Sequence, residues 1–73
     1  MKKTFKMTDL ECAHCAAKME DKIKGLEGVI YASVNFFSQK LIIEAEDSKF
    51  DSVLREAVKI IKKIEPDCGV EIK

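Results

Sequence analysis

Two helical apolar stripes, set among short strand-like segments, constrain the fold of this chain more than any other feature of its sequence. Around residues 13–25, apolar side chains recur at helical spacing while charged residues occupy the other face. A longer stripe runs over residues 50–64, and its helix should end before Pro66, because proline disfavours helical geometry in the residue before it. The stripes consist of Cys15, Met19, Ile23 and Leu26, and of Phe50, Val53, Leu54, Ala57, Val58, Ile61 and Ile64.

The segments around these stripes have the alternation, or the β-branched and aromatic content, of strands. They cover residues 3–7, 29–36, 40–45 and 70–72. A turn at residues 38–39 should join the second and third strands into a hairpin. Gly25 should cap the C-terminus of the first helix, and Ser48 with Asp51 should form a capping box at the start of the second. The order β-α-β-β-α-β predicts a single domain over residues 1–73 of the α+β class, a ferredoxin-like sandwich with a four-stranded antiparallel sheet and two helices on one face.

Size and charge exclude several classes of function. A chain of 73 residues has room for one small core and none for a deep catalytic cleft, so an enzyme is not expected. Lys and Arg number 13, as do Asp and Glu, and the two signs are interleaved, whereas nucleic acid requires a local excess of basic residues. The sequence contains neither an apolar run long enough for a transmembrane segment nor an export signal, so the expected location is cytoplasmic.

The three cysteines carry the clearest chemical signal. Their number is odd, so they cannot all pair in disulfides, and in a reducing compartment a cysteine pair more often binds metal or carries out redox chemistry. Cys12 and Cys15 form a C-x-x-C motif at the predicted start of the first helix, where free backbone N–H groups favour thiolates. The spacing itself is compatible with a closed structural zinc site, a thioredoxin-like redox site, two buried structural cysteines, or an open two-thiolate site for a soft metal.

The rest of the chain favours the open site. A closed zinc site needs four ligands, and beyond the pair this chain has one histidine, His14, and the distant Cys68. A thioredoxin-like fold usually needs a longer chain and a proline facing the disulfide, whereas Pro66 is the sole proline and precedes the last strand. Cys12 in a polar loop fits structural burial poorly, and His14 should point away from the sulfurs into solvent. A small thiol-disulfide oxidoreductase stays the alternative from another functional class.

Residues 10–20, LECAHCAAKME, resemble the metal-binding loop of heavy-metal-associated domains, the copper-chaperone-like modules found free and at the N-termini of heavy-metal P-type ATPases. The likeness extends to Gly28-Val29, Val34-Asn35 and Glu65-Pro66-Asp67. Within the family it is strongest to N-terminal domains of bacterial cadmium/zinc/lead-transporting ATPases. The resemblance implies a metallochaperone or transporter domain that binds and transfers a soft metal ion, with a P-type ATPase or its other domains as partner. We expect a monomer in the absence of metal.

The resemblance also implies Cys12 and Cys15 as metal ligands, and two departures from the copper-type pattern bear on the metal. Leu10 stands where copper modules usually have methionine, and we expect it to be a core residue. Glu11 stands where they commonly have Thr or Ser, and a carboxylate suits Zn(II), Cd(II) or Pb(II) better than Cu(I). Glu11 is therefore expected to be a third ligand, with a Cu(I) chaperone as the alternative. Cys68, in a loop expected at the same end of the sheet, is a candidate auxiliary ligand.

Overall fold

The chain folds as six elements in the order that the sequence predicts. The computed structural model describes residues 1–71, and Ile72, which the sequence assigns to the last strand, lies outside the described residues. Within residues 1–71, the predicted bounds differ from the observed ones by one residue at most. The elements are β1 (Lys2–Thr8), α1 (Ala13–Lys24), β2 (Val29–Asn35), β3 (Lys40–Ala45), α2 (Phe50–Ile64) and β4 (Gly69–Glu71).

The sheet brings three connections to one end of the molecule. Its strands are antiparallel in the order β2-β3-β1-β4, which confirms the predicted ferredoxin-like class. Near the end of β1, Lys6 lies opposite Lys40, the first residue of β3. Thr8 lies opposite Gly69, the first residue of β4. The β1–α1 loop, the β2–β3 turn and the α2–β4 connection therefore meet at this end of the sheet.

The core lies between the two helices and one face of the sheet. It is built from alternate residues of the strands and from the apolar stripes of both helices. A large apolar side chain contributes about 1.5–3 kcal/mol when it is fully buried, and conformational entropy offsets most of that gain. The largest fully buried side chains are Met7, Met19, Ile23, Leu41, Ile43, Ile61 and Cys68.

The start of α2 differs from the prediction. Its N-cap is Lys49, with no side-chain hydrogen bond to the helix, so the predicted capping box of Ser48 and Asp51 is wrong. The chain enters α2 through a turn in which the Lys49 N–H donates to the Glu46 carbonyl at 2.9 Å. That turn places Ser48 one residue before the N-cap. Asp51 still lies in the first turn, where the helix dipole favours a negative charge.

Candidate metal site

The loop from β1 to α1 is fixed before it reaches the cysteines. Asp9 has a left-handed backbone conformation, with φ of 57°, which a short polar side chain tolerates better than most. Leu10 then buries its side chain in the core, with only 3% of its surface exposed, as the sequence predicts. The burial of Leu10 fixes where the next residues, Glu11 and Cys12, can lie.

Cys12 is the N-cap of α1. Its backbone is extended, with φ of −128° and ψ of 112°, and its sulfur accepts a hydrogen bond of 3.1 Å from the backbone N–H of Cys15. N–H groups in the first turn have no acceptor within the helix, so this sulfur takes the place that a serine or aspartate oxygen usually fills. The C-x-x-C spacing suits this arrangement, because an N-cap side chain reaches the N–H three residues later.

The two thiols of the pair ionise unequally. The hydrogen bond with the Cys15 side chain, followed by the one from the Cys15 N–H, lowers the pKa of Cys12 below its usual 9.0. The hydrogen bond with the Cys12 side chain, together with partial burial, raises the pKa of Cys15. Cys12 is therefore the first thiol of the pair to lose its proton.

Both thiols of the pair are accessible. Cys12 and Cys15 are each half-buried, and all three cysteines are free thiols. Cys15 also packs against the core through the apolar side of α1. One sulfur is thus anchored on the helix, and the other lies at the end of the loop that leads into it.

The other predicted ligands do not gather around this pair. Glu11 is exposed, and so is His14, which the sequence predicts to face solvent and not to bind the metal. Cys68 is fully buried, and burial is the main cause that raises the pKa of its thiol. Within residues 1–71, no three His, Cys, Asp or Glu side chains lie close enough together to hold a metal ion. The geometry therefore brings together the pair alone, and ligation by Glu11 or Cys68 stays a prediction.

Glu65 is a carboxylate whose effect on the cysteines no local sequence pattern indicates. Hydrogen bonds and burial have the larger effects on the three thiols. The negative charge of Glu65 also acts to raise the pKa of each of them. The positive charge of Lys18 opposes this effect at Cys15. Glu65 follows the last residue of α2, so the α2–β4 connection approaches the cysteine pair, as the predicted topology requires. A glutamate before a proline has no local pattern that would indicate such a role.

Gln39 is a second residue that sequence patterns did not identify. It lies in the turn between β2 and β3, and its side-chain amide bonds to both backbone groups of Leu10. Local sequence patterns place Gln39 in a turn and indicate nothing more. Because the two residues are 29 positions apart, no local spacing could have indicated the contact.

Comparison with known proteins identifies the family. The chain matches the Heavy-metal-associated domain family over residues 4–71. A cadmium, zinc and cobalt-transporting ATPase of Bacillus subtilis is 30% identical over 73 residues, which are all of this chain and 10% of that ATPase. The COP-associated protein of Helicobacter pylori strain 26695 is 28% identical over 58 residues, which cover 80% of this chain and 88% of that protein.

Solved structures confirm the fold. The N-terminal domain of a potential copper-translocating P-type ATPase from Bacillus subtilis, in its Cu(I)-loaded state, matches with a TM-score of 0.76 and 24% identity over 99% of this chain and 85% of that one. A CopZ metallochaperone matches with a TM-score of 0.74 and 20% identity over 97% and 100% of the two chains. No helix within residues 1–71 has the length and apolar character needed to span a bilayer. Since the family match runs from β1 to β4 and includes the cysteine pair at the start of α1, the chain belongs to the heavy-metal-associated domain family.

Proposed function

We propose that this domain binds one soft metal ion through Cys12 and Cys15 and passes it to a partner. The observation that carries the proposal is the N-cap geometry, in which the Cys12 sulfur accepts the Cys15 N–H at 3.1 Å. It holds two accessible thiols together at a helix N-terminus, where N–H groups and the helix dipole favour negative charge. Soft metals bind such thiolates, and membership of the heavy-metal-associated family supports the same function.

Partial exposure of the pair suits transfer of the ion. A metal held by Cys12 and Cys15 leaves room for incoming ligands, so a partner's thiolates can bind before the first two leave. The ion then moves by ligand exchange without passing free into solution. A closed site with four protein ligands, typical of structural zinc, would hinder this exchange.

Among soft metals, we favour Zn(II), Cd(II) and Pb(II) over Cu(I). Glu11 is exposed directly before Cys12, and its carboxylate would be a third ligand of the kind that divalent ions accept more readily than Cu(I). Two thiolates and this carboxylate leave a charge of about −1 with a divalent ion and about −2 with Cu(I). The names of the relatives point both ways, to cadmium, zinc and cobalt for one ATPase and to copper for another, so a Cu(I) chaperone is the alternative.

The setting we propose is the cytoplasm, at the membrane if the domain is part of a transporter. The domain would act as a metallochaperone or as the N-terminal domain of a heavy-metal-transporting P-type ATPase. Its relatives include a protein of comparable length and an ATPase of which this chain spans 10%, which supports either setting. In both settings the domain is not catalytic, the ion is its cargo, and the ATPase or its other domains are its partner.

A small thiol-disulfide oxidoreductase is the candidate from another class, and it is favoured by the lowered pKa of Cys12, caused by the hydrogen bonds from Cys15. Titration of the reduced protein with Cd(II) separates the two functions. A transfer domain should bind about one Cd(II) with a thiolate-to-metal absorption band, and Cys12→Ser should abolish that band. Weak Cd(II) binding together with insulin-reduction activity would refute the transfer function.

The role of Glu11 is tested by competing Cu(I) against Zn(II) and Cd(II) in the wild type and in Glu11→Ala. We expect the variant to lose roughly tenfold in affinity for the divalent ions and to keep its affinity for Cu(I), because only the divalent ions use the carboxylate. Glu46→Ala, which removes an exposed carboxylate between β3 and α2, is the matched control and should change neither affinity. Unchanged divalent binding in Glu11→Ala would remove Glu11 from the site.

A further inference from the structure

The side chain of Gln39 bonds to the loop that leads to the cysteines. Its Oε1 accepts the backbone N–H of Leu10 at 3.0 Å, and its Nε2 donates to the Leu10 carbonyl at 2.7 Å. The same Nε2 also donates to the Phe36 carbonyl at 2.7 Å, within the β2–β3 turn. One side chain therefore joins the hairpin turn to the residue that lies two positions before Cys12.

These hydrogen bonds satisfy backbone groups of Leu10 that do not pair with any of the strands in residues 1–71. β1 ends at Thr8, so the backbone N–H and carbonyl of Leu10 have no partner in the sheet ladder, although the Leu10 side chain is buried. Backbone polar groups in such a position need a partner, and the primary amide of Gln39 offers one donor and one acceptor in the right places. Gln39 thus holds the backbone of Leu10 as a neighbouring strand would.

The backbone of Gln39 adopts a conformation that glutamine does not favour. Its φ is 55°, in the left-handed region, where glycine and asparagine are the usual residues. The Gln39 carbonyl also accepts the Met7 N–H at 2.7 Å, so the turn is bonded to β1 through its main chain as well. Glycine would adopt this backbone conformation at a lower energetic cost. Glutamine, however, has a side chain long enough to reach Leu10.

We propose that Gln39 is a positioning residue for the metal site, one that fixes the approach of the loop to Cys12 and so limits the positions of the Cys12 sulfur before metal arrives. This inference rests on the proposed function, since it concerns the same cysteine pair. Ordering one loop residue in advance removes a conformational cost that binding would otherwise carry. The expected effect on metal affinity is roughly fivefold to tenfold.

The test compares Gln39→Asn with the wild type by two measurements. Asparagine keeps the amide and tolerates the left-handed backbone, but it is one methylene too short to hold Leu10. In the metal-free protein, the Leu10 amide should exchange with solvent roughly tenfold faster, as measured by NMR. The Cd(II) affinity, measured against a competing chelator, should fall roughly fivefold to tenfold. Loss of the bonds to Leu10 should also lower the urea midpoint, so the affinities are compared in the absence of urea, after circular dichroism has shown that both proteins are folded.

A control and a second variant make the outcome decisive. Asn35→Ala removes the 2.9 Å bond from the Ser38 N–H within the same hairpin, does not touch Leu10, and should leave both measurements unchanged. Gln39→Gly, which relieves the backbone and removes the amide, should behave as Gln39→Asn does. Unchanged Leu10 exchange, or faster exchange with unchanged Cd(II) affinity, would overturn this inference alone. A wild type that fails to bind Cd(II) would overturn the proposed function and this inference with it.

Discussion

Replacing Glu20 tests how α1, the helix that begins at the cysteine pair, is fastened to the sheet. One carboxylate oxygen of Glu20 accepts the backbone N–H of Val34, in β2, at 2.9 Å, and the other lies 3.4 Å from the Lys24 ammonium. Because β2 is an edge strand, the N–H of Val34 is taken up by this side chain and not by another strand. Glu20→Ala would remove the acceptor of this partly buried N–H, which could then bond only to water.

The magnitude follows from these two contacts. A hydrogen bond to a charged group contributes about 1.5–3 kcal/mol, and an i,i+4 ion pair on a helix about 0.3–0.5 kcal/mol. The Glu20 side chain is 28% exposed, which favours the lower part of the range. We therefore expect Glu20→Ala to reduce the free energy of unfolding at pH 7 by about 2 kcal/mol, and the melting temperature by about 8–16 °C.

The contribution of Glu20 should also depend on pH. The hydrogen bond from the Val34 N–H lowers the pKa of Glu20 below its usual 4.5, against the opposing effect of burial. A carboxyl group whose pKa is lower in the folded state stabilises the fold above its unfolded pKa, and this contribution is lost as pH falls through the folded value. The stability deficit of Glu20→Gln, which keeps an acceptor but loses the charge, should be full at neutral pH and shrink below pH 4.5.

Urea denaturation followed by circular dichroism, at pH 7 and at pH 3, measures both effects. Asp21→Asn removes the neighbouring, exposed carboxylate of α1 and should change the free energy of unfolding by less than about 0.5 kcal/mol. The reasoning is refuted if Glu20→Ala is as stable as the wild type at pH 7. It is also refuted if the deficit of Glu20→Gln is as large at pH 3 as at pH 7.

Two further predictions concern the cysteines. Cys12→Ala should lower the melting temperature of the metal-free domain by about 4–8 °C, because the Cys15 N–H loses its acceptor, whereas Cys12→Ser should not, since serine is a preferred N-cap. Both variants should lose Cd(II) binding, and equal melting temperatures would contradict the capping role. Cys68→Ala tests the auxiliary ligand role expected from the sequence, and because this thiol is fully buried we expect the Cd(II)–thiolate absorption per bound ion to be unchanged. Loss of about one third of the band would instead identify Cys68 as a third thiolate.

The fold was predictable because its main determinants are local. The stripe from Phe50 to Ile64 has one face to bury, and Pro66 limits how far its helix can extend. The predicted capping box of Ser48 and Asp51 was wrong although it also rested on a local pattern. The spacing of the two residues is correct for a capping box, but the preceding turn shifts the N-cap to Lys49. A turn of a few residues is decided by competing backbone hydrogen bonds, which a spacing rule does not weigh.

The site was predictable only in part. The C-x-x-C spacing and its place before a helix indicated the thiol pair, and the N-cap bond between Cys12 and Cys15 is the physical basis of that pattern. The contacts of Gln39 and the influence of Glu65 depend on residues that are distant in sequence and meet only when the sheet forms. Their side chains have ordinary local surroundings in the sequence, so only the assembled fold reveals them.

The charges around the pair bear on which metal it would carry. A divalent ion that displaces both thiol protons leaves the charge of the site unchanged, whereas Cu(I) leaves it more negative by about one unit. After hydrogen bonds and burial, the negative charge of Glu65 acts on both thiols, and the positive charge of Lys18 opposes it at Cys15. The exposed carboxylate of Glu11 directly precedes Cys12. Repulsion from these carboxylates disfavours the more negative complex. For the function we propose, these charges favour a divalent cargo independently of ligation by Glu11.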